Sequence, residues 1–186
     1  MERIQETLAA LISGIRQVGK TWTIREFGKT HFNQLIYINF DLEPILQDIF
    51  RKSKNPHKIP YELSIYFETV IEAENTLLFF DEIQSCNEAL NSLKYFEESE
   101  DEHYVIGAGS YLGITLARVE SFPVGKVDFM ELTPMTFKEF LMALNQNLLV
   151  QYMESVSILA GSSTGLKINA KSTLSFRRSQ RFIRLK

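Results

Sequence analysis

Apolar positions along this chain follow two alternating rhythms. Short unbroken apolar runs, each ended by turn residues, are separated by stretches in which apolar residues recur every three or four positions. Runs at residues 8–12, 35–40, 76–80, 104–108 and 127–132 predict five strands. Between them, residues 21–27 continue without a breaker to Gly28 and predict a helix closed by a C′ glycine. Pro44 opens a helical phase with Ile45, Leu46, Ile49 and Phe50 on one face, and Leu63, Phe67, Val70 and Ile71 repeat that spacing. Asn87 is placed to cap a helix that turns Leu90, Leu93 and Phe96 inward. Thr136 and Glu139 form a capping-box pattern at the head of a helix with Phe137, Phe140, Leu141, Leu144 and Leu148 inward. Strands alternating with helices, the first four strands mostly apolar, specify an α/β protein. Its mainly parallel five-stranded sheet is covered on both faces, giving three layers.

The 186 residues suffice for one well-buried core, and 45% apolar with 23% charged residues is the composition of a globular protein, not a disordered or fibrous one. Charge changes this picture at the C-terminal end. The last acid is Glu154, and seven of the 20 basic residues lie beyond it, so residues 1–158 carry −10 and the remainder +7. An acidic body offers no broad phosphate-neutralising surface and gives no support to nucleic-acid binding. The segment from residue 159 holds seven Ser or Thr and no periodic apolar face. The expected organisation is therefore one domain over residues 1–155 and a basic, poorly ordered tail over 156–186. A single cysteine, Cys86, and three scattered histidines give neither an internal disulfide nor a metal-ligand spacing. An acidic start and no apolar run of about 18 residues predict a cytoplasmic protein with no membrane segment.

Chemistry concentrates at two strand ends. Gly14, Gly19, Lys20 and Thr21 complete the pattern G-x-x-x-x-G-K-[ST] between the first strand and the helix after it. A chance match is expected in about one chain of this length in a hundred or fewer. Glycines let backbone N–H groups turn inward as an anion nest, and the helix start adds its positive end. In that arrangement Gly14, Ile15, Arg16, Gln17, Val18, Gly19, Lys20, Thr21 and Trp22 would cradle ATP. Lys20 would sit on the β- and γ-phosphates and the Thr21 hydroxyl on Mg²⁺. Asp81 and Glu82 end the third strand: Asp81 would hold Mg²⁺ through its water shell, and Glu82 would orient and deprotonate the attacking water. Ser110, after the fourth strand, is placed to sense the γ-phosphate. Arg118 and Lys126 are possible cationic donors to a transition state, though a solvated surface charge is the simpler account of both.

The segment from Arg16 to Trp22, the Asp81-Glu82-Ile83-Gln84 strand end, Gly109-Ser110 and above all the stretch from Phe122 to Leu141 resemble a large prokaryotic family of AAA-type ATPases. In that family the ATPase domain precedes a domain that looks like a restriction-nuclease fold. The resemblance covers about residues 8–150. It implies a P-loop NTPase fold with strand order 5-1-4-3-2, and ATP and Mg²⁺ as ligands. The sequence departs from the family pattern in Lys126, where many relatives carry arginine, and in stopping before the second domain with a basic tail in its place, as a truncated chain would.

Two functional classes follow. One is an ATP-hydrolysing P-loop domain, slow in isolation, with Lys20, Glu82 and Ser110 catalytic, Thr21 and Asp81 on the metal, and a homo-oligomer as a possible assembly. The other is a nucleotide-binding switch that does not turn over alone, or a fragment without function.

Overall fold

The computed structural model describes residues 8–110, Leu112 and residues 127–161, with side chains up to residue 156. The predictions that rest on Arg118, Lys126 and residues 162–186 lie outside the described residues. Five strands form the sheet: β1 (Ala9–Ser13), β2 (Gln34–Asn39), β3 (Thr76–Asp81), β4 (Tyr104–Gly109) and β5 (Asp128–Glu131). Their order is β2-β3-β4-β1-β5 and every neighbouring pair is parallel. This is the predicted order, and it is a P-loop NTPase fold.

Side-chain alternation assigns the two faces. Ile36, Ile38, Leu78, Phe80 and Val105 join one buried cluster with residues of three helices: α2 (Gln47–Lys52), α3 (Lys58–Tyr66) and α4 (Asn87–Glu97). Leu35 and Leu77 point to the opposite face, where α1 (Lys20–His31) lies. The order also fixes the site. In β2–β3 and β1–β4 pairing the carboxyl ends align, since Asn39 pairs with Asp81 and Ser13 with Gly109, and in β3–β4 pairing Phe80 lies opposite Gly107. The strand ends that carry Asp81, Glu82 and Ser110 therefore converge on the loop that leaves β1.

Several local expectations are corrected. Gly28 does not end α1, which runs three residues further and closes where Phe32 N–H donates to the Gly28 carbonyl. The glycine is there for close approach: a Cβ would lie 3.0 Å from Leu35 and 3.2 Å from Leu77. Tertiary contact, not backbone conformation, selects it. Asn87 is the first helical residue of α4 and makes no cap; Cys86 occupies the flanking position without a side-chain cap bond. Pro44 opens a 3₁₀ turn (Pro44–Leu46) ahead of α2, which buries Leu46 and Phe50 but leaves Ile45 exposed. The helix α3 stops at Tyr66, so Phe67 and Ile71 reach the core from the loop beyond it and Val70 is exposed.

The described residues divide after Leu132 into two compact units. The second holds α5 (Phe137–Ala143) and α6 (Asn147–Gly161). The capping box is present: Glu139 N–H donates to Thr136 Oγ1 (3.2 Å) and Thr136 N–H to the Glu139 carboxylate (2.7 Å). The predicted inward face of α5 is not, because Phe137, Phe140, Leu144 and Leu148 are exposed and only Leu141 is buried. The helix α6 runs through the expected boundary at residue 155.

One half-buried carboxylate fixes the start of the sheet. Glu97 Oε2 accepts from the N–H groups of Leu8 (2.9 Å) and Ala9 (2.7 Å). Burial raises its pKa above the ordinary glutamate value of 4.5, although those two bonds pull the other way. A carboxyl whose folded pKa is raised contributes its stability below the unfolded value and loses it as pH rises through the folded one. We expect Glu97→Gln, which keeps an acceptor without the charge, to match or exceed the wild type at pH 7. Its advantage should vanish on acidification toward pH 4.5. Glu97→Ala leaves two N–H groups without acceptors and should cost about 1–3 kcal/mol. Urea midpoints at several pH values check both.

Candidate functional site

The loop between β1 and α1 has two glycines that its path requires. Gly14 packs so tightly that a Cβ would lie 2.4 Å from the Leu132 carbonyl oxygen. Gly19 stands at φ 98°, a conformation natural only to glycine, directly before α1. The helix start is bare: Gly19 offers no side-chain cap and the first turn holds no acid. Its first N–H groups are therefore free to meet an anion from outside the chain.

Lys20 is not the solvated loop residue that its position in a surface motif suggests. It is the first residue of α1 and is buried, and its ammonium donates to the carbonyls of Gly14 (2.8 Å) and Ile15 (3.0 Å) and to Ser110 Oγ (3.2 Å). Burial holds its pKa below the usual lysine value, against the opposing pull of Glu82 and Asp81. A cation held in place among carbonyls, with less water to displace than a solvated one, is prepared to accept phosphate oxygens.

Asp81 lies behind the loop with 3% exposure and three donors around it. Oδ2 accepts from Thr21 Oγ1 (2.8 Å) and from the Tyr37 hydroxyl (3.0 Å), and Oδ1 from the Glu82 N–H (3.1 Å). Glu82, half-buried at φ 49°, turns off the end of β3 toward the cleft. Arg16, Gln17, Gly19, Lys20, Thr21, Trp22, Glu82 and Ser110 line an open cleft of about 420 Å³. Of the residues predicted from sequence, these eight meet at the cleft and Asp81 stands directly behind Thr21. Gly14, Ile15 and Val18 shape the loop without lining the cleft. Trp22 is 70% exposed at its edge. Cys86 is buried and does not line the cleft, and burial pushes its thiol up to about 11, which disfavours the thiolate at neutral pH.

Sequence reasoning missed Tyr37 and Gln84. Tyr37 is held by Asn39 Nδ2 (3.2 Å) and covered by the Arg25 guanidinium 4.1 Å from its ring, and burial raises its pKa. It stays a neutral donor to Asp81. The signal was available only with strand order in hand, because β2 and β3 neighbour each other and Asn39 pairs with Asp81. Gln84 Nε2 donates to Glu82 Oε2 at 2.5 Å from within the turn that follows β3.

Residues 6–141 match the AAA domain family. The chain belongs to that family. The match spans the glycine loop, both strand-end acids, Ser110 and α5 up to Leu141. AAA domains bind nucleotides, and the cleft described above is where this one places its cation, its bare helix start and its acids. Among curated proteins, the chain is similar to an uncharacterized protein, MJ1544, of Methanocaldococcus jannaschii: 28% identity over 144 residues, covering 76% of this chain and 30% of that protein. The chain thus aligns with less than a third of that relative's length. No helix among the described residues is long and apolar enough to cross a membrane.

Proposed function

We propose that this AAA domain binds ATP with Mg²⁺ in the cleft and hydrolyses it slowly by itself. The observation that carries the reading is the arrangement around Lys20. A buried ammonium and an uncapped helix start face the same cleft as Glu82 and the hydroxyls of Thr21 and Ser110, with Asp81 behind Thr21 and hydrogen-bonded to it at 2.8 Å. The residues fit a hydrated divalent cation. Among the described residues no cluster of three or more His, Cys, Asp or Glu could hold a metal alone, whereas Mg²⁺ typically takes one or two protein oxygens and completes its shell with water and phosphate. Thr21 and Asp81 would supply the protein oxygens; when bound, the ion neutralises charge on the β- and γ-phosphates.

The chain's own residues divide the remaining work. Backbone N–H groups of the loop and of the first turn of α1 bind the phosphates, and Lys20 moves from carbonyl partners to phosphate oxygens. Glu82 orients a water toward the γ-phosphate and takes its proton as the oxygen–phosphorus bond forms and the β–γ bridging bond breaks. Ser110, already bonded to Lys20, lies where it can contact the γ-phosphate or the water. Residues 1–155 constitute the ATPase domain in this reading, and residues 156–186 a basic segment after it.

Fast phosphoryl transfer also needs a cation on the transition state, often an arginine from a neighbouring subunit and worth on the order of 10³ to 10⁵ in rate. Among the described cleft residues the cations are Lys20 and Arg16. Specific activity should therefore be low in dilute protein and rise with concentration as subunits complete one another's sites. A high rate independent of concentration would show that one chain holds a complete site.

The one tryptophan of the chain is a built-in probe. Trp22 lines the cleft and is mostly exposed, so Mg-ATP should change its emission saturably as the nucleotide displaces water from the indole. Unchanged emission at saturating nucleotide would place the ligand elsewhere.

A further inference from the structure

Gln84 has an environment that packing alone does not explain. It lies in the 3₁₀ turn Ile83–Ser85, which is closed by Ser85 N–H donating to the Glu82 carbonyl (3.0 Å) and Cys86 N–H to the Ile83 carbonyl (3.0 Å). That turn, and the left-handed backbone of Glu82 before it, fold the Gln84 side chain back onto the Glu82 carboxylate. Its Nε2 donates there at 2.5 Å. The other end of the amide, Oε1, is buried and has no hydrogen-bond partner among the described residues. It occupies the space beside Gly109 so closely that a Cβ on that glycine would lie 2.1 Å from it. Reversing the amide would set its oxygen against a carboxylate, acceptor against acceptor, so the orientation is determined by charge.

A buried carbonyl without a donor destabilises the fold, and an apolar side chain of the same length would fill the space without that cost. What the amide adds is a single donor, and it is spent on Glu82. We propose that Gln84 is the positioning residue of the hydrolytic site. It fixes the rotamer of Glu82 by tying one carboxylate oxygen, leaves the other for the attacking water, and is itself wedged against the end of β4. Because Gly109 directly precedes Ser110, which accepts from Lys20, the wedge ties the placement of Glu82 to the strand that carries the other γ-phosphate contact. The inference rests on the reading of Glu82 as the base.

Three variants test it, with Glu82→Gln assayed beside them. Gln84→Met keeps length and packing without the donor; its kcat should fall about tenfold or more, while ATP affinity read from Trp22 emission stays within about twofold. Gly109→Ala should evict the amide and slow turnover in the same way. In a Gln84→Ala background the added Gly109→Ala change should cost clearly less than it does alone, since the amide is already gone and the clash that remains is with Leu112, 2.9 Å from the new Cβ. Thermal melts of each variant separate a fallen rate from a fallen fold. If Gln84→Met turns over like the wild type while Glu82→Gln is slow, Gln84 is structural and the proposal is overturned. Additive losses in the double variant would likewise overturn the wedge against Gly109. A normal rate in Glu82→Gln would instead overturn the assignment of the base itself, whatever Gln84 does.

Discussion

Replacing Lys20 with alanine should abolish measurable nucleotide binding while the protein stays folded. Among the described residues the ammonium is the one buried cation facing the cleft; it touches the Ser110 hydroxyl and two loop carbonyls, and carbonyls are acceptors that a phosphate cannot use. Without Lys20 the cleft presents those oxygens and the Glu82 carboxylate to an incoming polyphosphate, with Asp81 behind Thr21, so most of the attraction is lost. A loss of at least a hundredfold, about 2.7 kcal/mol, is expected in Kd. The fold should tolerate the change, because alanine is the best helix former at the start of α1 and removing a lysine that burial disfavours recovers part of what the lost hydrogen bonds contributed. Calorimetry with Mg-ATP and a circular-dichroism melt check the two halves. Unchanged affinity would remove the phosphate-loop assignment.

Glu82→Gln should separate binding from chemistry. Glutamine keeps the length of the side chain and its capacity to hydrogen-bond, and Asp81, Thr21 and Lys20 are untouched, so ATP affinity should remain near the wild type. The base is lost, and general-base contributions run from about 10² to 10⁴ in rate, so a fall in kcat of at least tenfold is expected. A fall confined to kcat is the signature of an interaction made only in the transition state. Equal rates would make Glu82 a structural residue whose left-handed backbone serves the turn after β3 alone.

The fold was legible where the chain is buried on both sides. The run that became β3 is buried at every position from Thr76 to Asp81, and such a run has no other stable use in a domain of this size. The glycine loop was legible because its chemistry demands particular residue types at fixed intervals, and the structure brings Gly14, Gly19, Lys20 and Thr21 to one helix start. Strand order came from resemblance, since periodicity says which segments pair with a sheet but not where in it they lie. What failed were local rules overridden by tertiary contact. Gly28 reads as a helix stop and is a point of close approach to Leu35 and Leu77. The apolar spacing of α5 reads as a buried face, yet Phe137 and Phe140 are exposed. The roles of Tyr37 and Gln84 were hidden for a different reason: each acts on an acid through a hydrogen bond whose existence depends on strand neighbours or on a turn, and no spacing encodes it.

In the proposed function this AAA domain turns ATP over in the cleft lined by Lys20, Glu82 and Ser110. Single-turnover hydrolysis with protein in excess over γ-labelled Mg-ATP tests it most directly, because it counts chemistry without requiring product release. Bound ATP should be converted to ADP and free phosphate, Glu82→Gln should bind the same fraction and convert it at least tenfold more slowly, and Lys20→Ala should bind none. Full binding of ATP with no conversion at any protein concentration would contradict it and leave a nucleotide-binding switch in its place.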